Sequence, residues 1–302
     1  MRINGKAYRR VWAAALMAAM LVTTGERTVR AEGFSSPDVL ILGDSQISFG
    51  AGHAFLEFFS DIMASCAPDR REKKALSKLG AMQVGVIGVR STSIHSWVAR
   101  GGAAKDAICE VDKKWKVNAG SYGVLNTTKN QFVQMGQGRN YQVCEPGQSA
   151  FEAMFAPGYY DPSLLILTFL GNSAKRWAEN PDLAVRDVRA LEQHLPADLP
   201  CVFMTTAPAH TKKVEKQRLA AQENIKRAFA ETGSRCTFVE GSTPATIKAN
   251  QSTRAFFRQH KDGRVKDPYH PNKRGARNTL KLEMDNICEA IFTALGPDRP
   301  PS

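Results

Sequence analysis

Short apolar runs rich in Val, Ile, Leu and Phe recur along the chain, each followed by a polar turn and then by a stretch with helical spacing. Runs of this length, apolar throughout rather than alternating, predict strands of a parallel sheet covered on both faces. Five are expected, over 38–42, 82–87, 164–170, 201–206 and 236–240. The helical stretches show the complementary pattern. Phe55, Phe58, Phe59, Ile62 and Met63 fall at i, i+3, i+4, i+7 and i+8, and Leu280, Met284, Ile287, Ile291 and Leu295 repeat the stripe near the C-terminus. Such stripes face a core. Strands alternating with helices predict an α/β fold, a three-layer α/β/α sandwich around a five-stranded parallel sheet.

Two segments depart from this alternation. Residues 1–10 carry Arg2, Lys6, Arg9 and Arg10, and an apolar run from Val11 to Val22 follows. A basic start followed by about a dozen apolar residues is the layout of a signal peptide, and it is shorter than the roughly 20 residues of a membrane span. Val29-Arg30-Ala31 places small residues where a signal peptidase acts, so cleavage is expected after Ala31, leaving one domain over 32–302 without stable membrane insertion. The expected location is periplasmic or secreted. The second segment, 101–160, lies between the second and third strands and is too long for a plain connection. It holds Cys109, Cys144 and the aromatics Trp115, Tyr122, Phe132, Tyr141, Tyr159 and Tyr160, which suggests an ordered, disulfide-stapled insertion.

Composition adds constraints to this outline. The formal charge of +12 falls to about +7 once the leader's six basic residues and one acidic residue are removed. That surplus suits solubility or an acidic polymer, and with no nucleic-acid motif or long basic tract in the mature part, no nucleic-acid partner is expected. Cys66, Cys109, Cys144, Cys201, Cys236 and Cys288 form an even set, which in an exported chain permits three disulfides with 15 possible connectivities. Cys201 with Cys236 would join two neighbouring strand starts. No C-x-x-C spacing appears, and neither a metal nor a cofactor is expected.

In open parallel sheets ligands bind beyond the carboxyl ends of the strands. The polar residues there are Gly43-Asp44-Ser45-Gln46, then Gly88 to Ile94, then Gly171-Asn172-Ser173, and last Asp267-Pro268-Tyr269-His270-Pro271-Asn272. A serine hydroxyl attacks an ester carbonyl only when a base takes its proton, and an imidazole, which titrates near neutrality, suits that task. A carboxylate on the far ring nitrogen fixes the tautomer and stabilises the imidazolium. Ser45, His270 and Asp267 supply one group of each kind. Asp44 reads as a helix cap. His95 is the strongest rival base, without an acidic neighbour in the chain.

In order and placement these blocks resemble the SGNH/GDSL hydrolase family, through Gly43-Asp44-Ser45 near the start and Asp267-x-x-His270 followed by Pro271-Asn272 and Gly275 near the end. The resemblance implies a flavodoxin-like sheet, Ser45 as nucleophile, His270 as general base and Asp267 as its orienting acid. It also implies an oxyanion hole from Ser45, the loop after strand two and Asn172. Ser91-Thr92-Ser93-Ile94-x-x-Trp97 looks like the Gly-Thr-Ser-Ile-x-x-Trp segment of carbohydrate acetylesterases in that superfamily, with Ser91 where the glycine stands. A positive φ there would carry a cost. The third block departs further, because Leu170 replaces a glycine and Ser173 an aspartate.

The implied activity is hydrolysis of O-acyl esters, acetyl foremost, on an acylated small molecule or a polysaccharide. Two alternatives stand beside it. A polysaccharide O-acetyltransferase would use the same serine, with Lys175-Arg176-Trp177 docking an acidic acceptor, and a carbohydrate-binding protein would keep the fold without turnover. Neither the oligomeric state nor the natural ester is legible.

Overall fold

The computed structural model describes residues 36–80, 82–100, 119–126, 131–136, 147–157 and 160–296, with backbone alone for 119–126 and 131–136. The expected leader and the Cys109 and Cys144 positions lie outside the described residues.

Five parallel strands form the centre: β1 (Val39–Gly43), β2 (Gln83–Val89), β5 (Leu164–Thr168), β6 (Cys201–Met204) and β7 (Thr237–Val239). All five lie within the predicted runs or shifted by one or two residues. Two further strands come from the insertion, β3 (Ala119–Asn126) and β4 (Gln131–Gly136), and extend the sheet beyond β2 as an antiparallel pair. The order is therefore β4-β3-β2-β1-β5-β6-β7, seven strands where five were expected. A separate hairpin joins β8 (Phe257–Gln259) to β9 (Val265–Pro271).

The sheet is covered on both faces, as its apolar strands require. Val39, Ile41, Val84, Val86, Leu164, Ile166, Val202 and Met204 alternate onto one face, where Phe55, Phe58, Phe59, Ile62, Leu280, Ile287, Ile291 and Leu295 pack against them in one cluster. The opposite layer holds Trp97, Phe151, Trp177, Leu191, Ile225 and Phe229, all buried, with Phe203 of β6 against Phe229 at 4.7 Å between ring centroids. Both predicted stripes are interrupted. The first helix, Gly52–Ser60, stops at Asp61, whose φ of −135° and ψ of 35° break the spiral before a short helix resumes over Ile62–Cys66. That break turns Met63 to solvent at 47 % exposure, so the stripe ends at Ile62. The C-terminal stripe spans two helices, Lys273–Leu282 and Met284–Leu295, which meet at Glu283.

Among the described residues two disulfides fasten this framework. Cys201 at the start of β6 is bonded to Cys236 just before β7, one of the pairings that the sequence left open. Cys66 is bonded to Cys288, tying the end of the second short helix to the C-terminal helix across 222 residues of chain. Among the described residues no helix is long and apolar enough to cross a membrane.

Candidate active site

Chain order reverses around β1, which has β2 on one side and β5 on the other. A crevice opens at such a switch point, beyond the carboxyl ends of the strands. Ser45 lies two residues past the end of β1, Ser91 two past β2 and Asn172 four past β5.

Ser45 opens a helical run. Asp44 Oδ1 accepts from the Gln46 backbone N–H at 2.8 Å, so the aspartate caps that run, as expected. The run continues as a π-helical turn, Ile47–Ala51, before the regular helix Gly52–Ser60. Single π turns recur at functional sites, because the wider turn re-aims a few side chains. Here the turn brings Gly50 onto the backbone of Asn272 and Lys273. A Cβ at Gly50 would meet those atoms at 2.8 and 2.9 Å, so only glycine permits the approach.

The partner loop is shaped by a second irregularity. In the β8–β9 hairpin Phe257 pairs with Pro271 but Arg258 pairs with Asp267, leaving Pro268, Tyr269 and His270 as a bulge. Bulges of this kind re-aim side chains beside active sites. The Asp267 carboxylate accepts the backbone N–H groups of Tyr269 and His270 at 3.0 and 3.2 Å, which folds the bulge into a tight turn. The result is a continuous relay. Ser45 Oγ lies 2.8 Å from His270 Nε2, and His270 Nδ1 lies 2.9 Å from Asp267 Oδ2. With Nδ1–H donating to the carboxylate, Nε2 is left to accept the serine proton.

A buried set of polar groups holds the bulge from behind. Two of its three carbonyls are engaged there: Pro268 O accepts the His210 backbone N–H at 2.8 Å, and Tyr269 O accepts Gln46 Nε2 at 3.1 Å and Arg218 Nη2 at 3.2 Å. Gln46 Nε2 and Arg218 Nη1 also share Ala207 O, at 3.2 and 2.9 Å. Arg218 therefore ties the loop after β6 to the triad loop. Burial pulls its guanidinium below the usual arginine range, opposed by the charges of Glu215, Asp44 and Asp267. Burial likewise raises the Asp44 carboxyl above the ordinary carboxylate range, opposed by the Gln46 N–H, Arg218 and His270.

The remaining predicted residues reach the same crevice with altered geometry. Ser91 has φ of +64°, the left-handed region that favours glycine, so the serine sits in a glycine's conformation. Asn172 is exposed, and its Nδ2 donates to Thr92 O at 2.8 Å, which links the loops after β5 and β2. A carboxamide nitrogen carries two hydrogens, so one remains for another acceptor. Trp97 and Trp177 are fully buried rather than facing a ligand. The Trp97 indole donates to Thr92 Oγ1 at 3.2 Å and that of Trp177 to Asp187 at 2.8 Å. The acceptor-docking role suggested for Lys175-Arg176-Trp177 therefore loses its aromatic member. His95, without an acidic neighbour in the chain, does have a carboxylate near it in the fold, because its charge acts to lower the Asp187 carboxyl. The Asp187 carboxyl is however buried and committed to Trp177, and burial raises it above the ordinary range.

Sequence reasoning missed four contributors: Phe49, Arg90, His210 and Arg218. Phe49 lies 4.5 Å from the His270 ring, and the Arg90 guanidinium lies 4.2 Å from the Phe49 ring centre. Arg218 had a signal in principle. Glu215, Arg218 and Gln222 stand at i, i+3 and i+7, a polar stripe that shares its face with the buried Ala221 and Ile225.

No family model matches this chain, and no curated protein does. Among solved structures it is similar to a DUF4886 family protein from Bacteroides uniformis, at 10 % identity over 83 % of each chain with a TM-score of 0.40. It is similar also to a peptidoglycan O-acetylesterase, at 11 % identity over 86 % of this chain and 92 % of that one, TM-score 0.39. A Lactobacillus plantarum protein matches at 11 % identity over 85 % of this chain and 98 % of that one, TM-score 0.37. Likenesses this distant carry no argument about chemistry, which rests on the geometry above.

Proposed function

We propose that this chain is an exported serine esterase of the SGNH/GDSL type, hydrolysing O-acyl esters, acetyl foremost, on a carbohydrate. The observation that carries the reading is the relay from Ser45 Oγ through His270 to Asp267, with contacts of 2.8 and 2.9 Å, at the switch point of the sheet. Three residues from opposite ends of the chain, each of the type the chemistry requires, meet within hydrogen-bond distance.

In the proposed reaction Ser45 Oγ attacks the ester carbonyl while His270 Nε2 takes its proton, and Asp267 stabilises the imidazolium. The tetrahedral oxyanion is met by the backbone N–H groups of Ser45 and Ser91 and by Asn172 Nδ2, with Ser45 at a helix start where the backbone dipole favours negative charge. Collapse expels the sugar alkoxide, which receives the proton from His270 and leaves the acyl group on Ser45. Water then attacks the acyl-serine as His270 takes its proton, and collapse breaks the Ser45 Oγ–acyl bond, releases the acid and returns that proton from His270 to Ser45 Oγ. The basic leader and the disulfides Cys66–Cys288 and Cys201–Cys236 support the exported setting, because disulfides persist in oxidising compartments.

Acetate release from acetylated xylan or an acetylated exopolysaccharide tests this. Ser45→Ala is expected to lose at least about 1000-fold in kcat, since removing the nucleophile leaves only the oxyanion donors and binding. Equal rates for wild type and variant would end the reading.

A further inference from the structure

Arg90 follows β2 directly and precedes Ser91, yet the relay makes no use of it. Its guanidinium is held over Phe49, and Phe49 in turn packs against the His270 ring, so the charge stands one aromatic ring away from the imidazole. The Arg90 Nε is buried, and among the described residues it has no hydrogen-bond partner. No described carboxylate forms an ion pair with Arg90 either, although the exposed arginines at 100, 264 and 277 all have one.

A half-buried guanidinium whose Nε has no acceptor forgoes a hydrogen bond that this nitrogen would make in water. It also opposes the positive charge that His270 acquires as Ser45 attacks. An anion bound there would relieve both penalties at once. The guanidinium is a planar fork of donors that matches a carboxylate in a bidentate arrangement. Tyr269, next to His270 in the bulge, is 48 % exposed, with its ring centre 6.4 Å from that of His270, an aromatic surface of the kind that suits a sugar ring.

We propose that Arg90 is the anion-recognition residue of this site, taking a substrate carboxylate, so that the preferred esters are O-acyl groups on uronic-acid sugars. This inference rests on the esterase reading for its catalytic consequence. Its binding consequence stands apart from turnover.

The experiment compares acetate release from an acetylated oligogalacturonate and from its carboxyl-reduced, uncharged counterpart. Wild type is expected to favour the acidic substrate by about 10-fold to 100-fold in kcat/KM, the range of a charge-assisted hydrogen bond. Arg90→Gln is expected to bring that ratio close to one, and Arg90→Lys to leave it in between, because an ammonium keeps the charge without the fork. A wild-type ratio near one, or a ratio that Arg90→Gln leaves unchanged, overturns the inference. Calorimetric titration of Ser45→Ala with the acetylated oligogalacturonate, with and without Arg90→Gln, separates the two readings. Binding weakened at least about 10-fold by Arg90→Gln supports the carboxylate site. If it does so while wild type releases no acetate, the esterase reading fails and the anion site stands. Binding that is absent, or indifferent to Arg90, overturns the inference whatever the turnover.

Discussion

Ser91 carries the clearest conflict between a side chain and its backbone. An L-residue with φ near +64° crowds its Cβ against the backbone, an arrangement that costs about 1–2 kcal/mol, whereas glycine adopts it freely at an entropic cost of about 0.5–1 kcal/mol. Ser91→Gly is therefore expected to stabilise the fold by roughly 0.5–1 kcal/mol. Urea denaturation should show a higher midpoint with an unchanged slope, and a lower midpoint would mean that the hydroxyl compensates for the strain. The residues that meet in the relay were legible in the sequence, since Ser45, Asp267 and His270 each offer a reactive group at a strand end. Residues that act through burial were not. Arg218 looks like any arginine on a charged helix until the fold shows that it is 3 % exposed and bound to the carbonyls of Ala207 and Tyr269.

At the scale of elements, periodicity located the five parallel strands and the two apolar helical stripes that cover one face of the sheet. What it did not show were the irregularities that bring Ser45 and His270 together. The π turn at Ile47–Ala51 and the bulge at Pro268–His270 arise from tertiary contacts, Gly50 against Asn272 and Tyr269 O against Gln46 and Arg218, and no local propensity announces them. The break at Asp61 is similar, because the apolar stripe runs through it without a proline or glycine.

The insertion adds a titratable tether at this scale. Arg100, at the end of the segment after β2, forms a two-pronged ion pair with Glu152 of the short helix Ala150–Met154, where Glu152 also completes a capping box with Ser149. The Arg100 guanidinium is the main cause that holds the Glu152 carboxyl at about 2, below its ordinary 4.5. A depressed carboxyl contributes stability that is fully present above the ordinary value and is lost as pH falls through the depressed one. Melting temperatures of wild type and Glu152→Gln should thus differ at neutral pH, and the gap should close as pH falls from about 4.5 to about 2. A gap that stays constant with pH would show that the pair is screened by solvent.

For the whole molecule, the layered architecture follows from strands apolar along their full length, and that much the pattern of hydrophobic positions determines. The sheet's width does not follow, because β3 and β4 lie in a stretch of glycines and polar residues without the strong apolar run of a central strand. Disulfide pairing was left open by the sequence, although the one pair that would join neighbouring strand starts, Cys201 with Cys236, is bonded. The Cys66–Cys288 bond required knowing that the chain's two ends share one helical layer. Removing either bond by paired serine substitution is expected to cost about 2–5 kcal/mol. The loss should be greater for Cys66–Cys288, which closes 222 residues against 35, and the denaturation midpoints of the two variants give that comparison. An equal or reversed order would mean that strain or residual structure outweighs loop closure.

The claim on which everything functional depends is that His270 activates Ser45. Labelling with a fluorophosphonate, followed by mapping of the modified peptide, reads that activation without knowledge of the natural ester. The geometry predicts a single phosphonyl adduct on Ser45 in wild type, at least about 100-fold slower to form in His270→Ala. An unlabelled protein, an adduct on another serine, or labelling of Ser45 at the wild-type rate without His270 would contradict it.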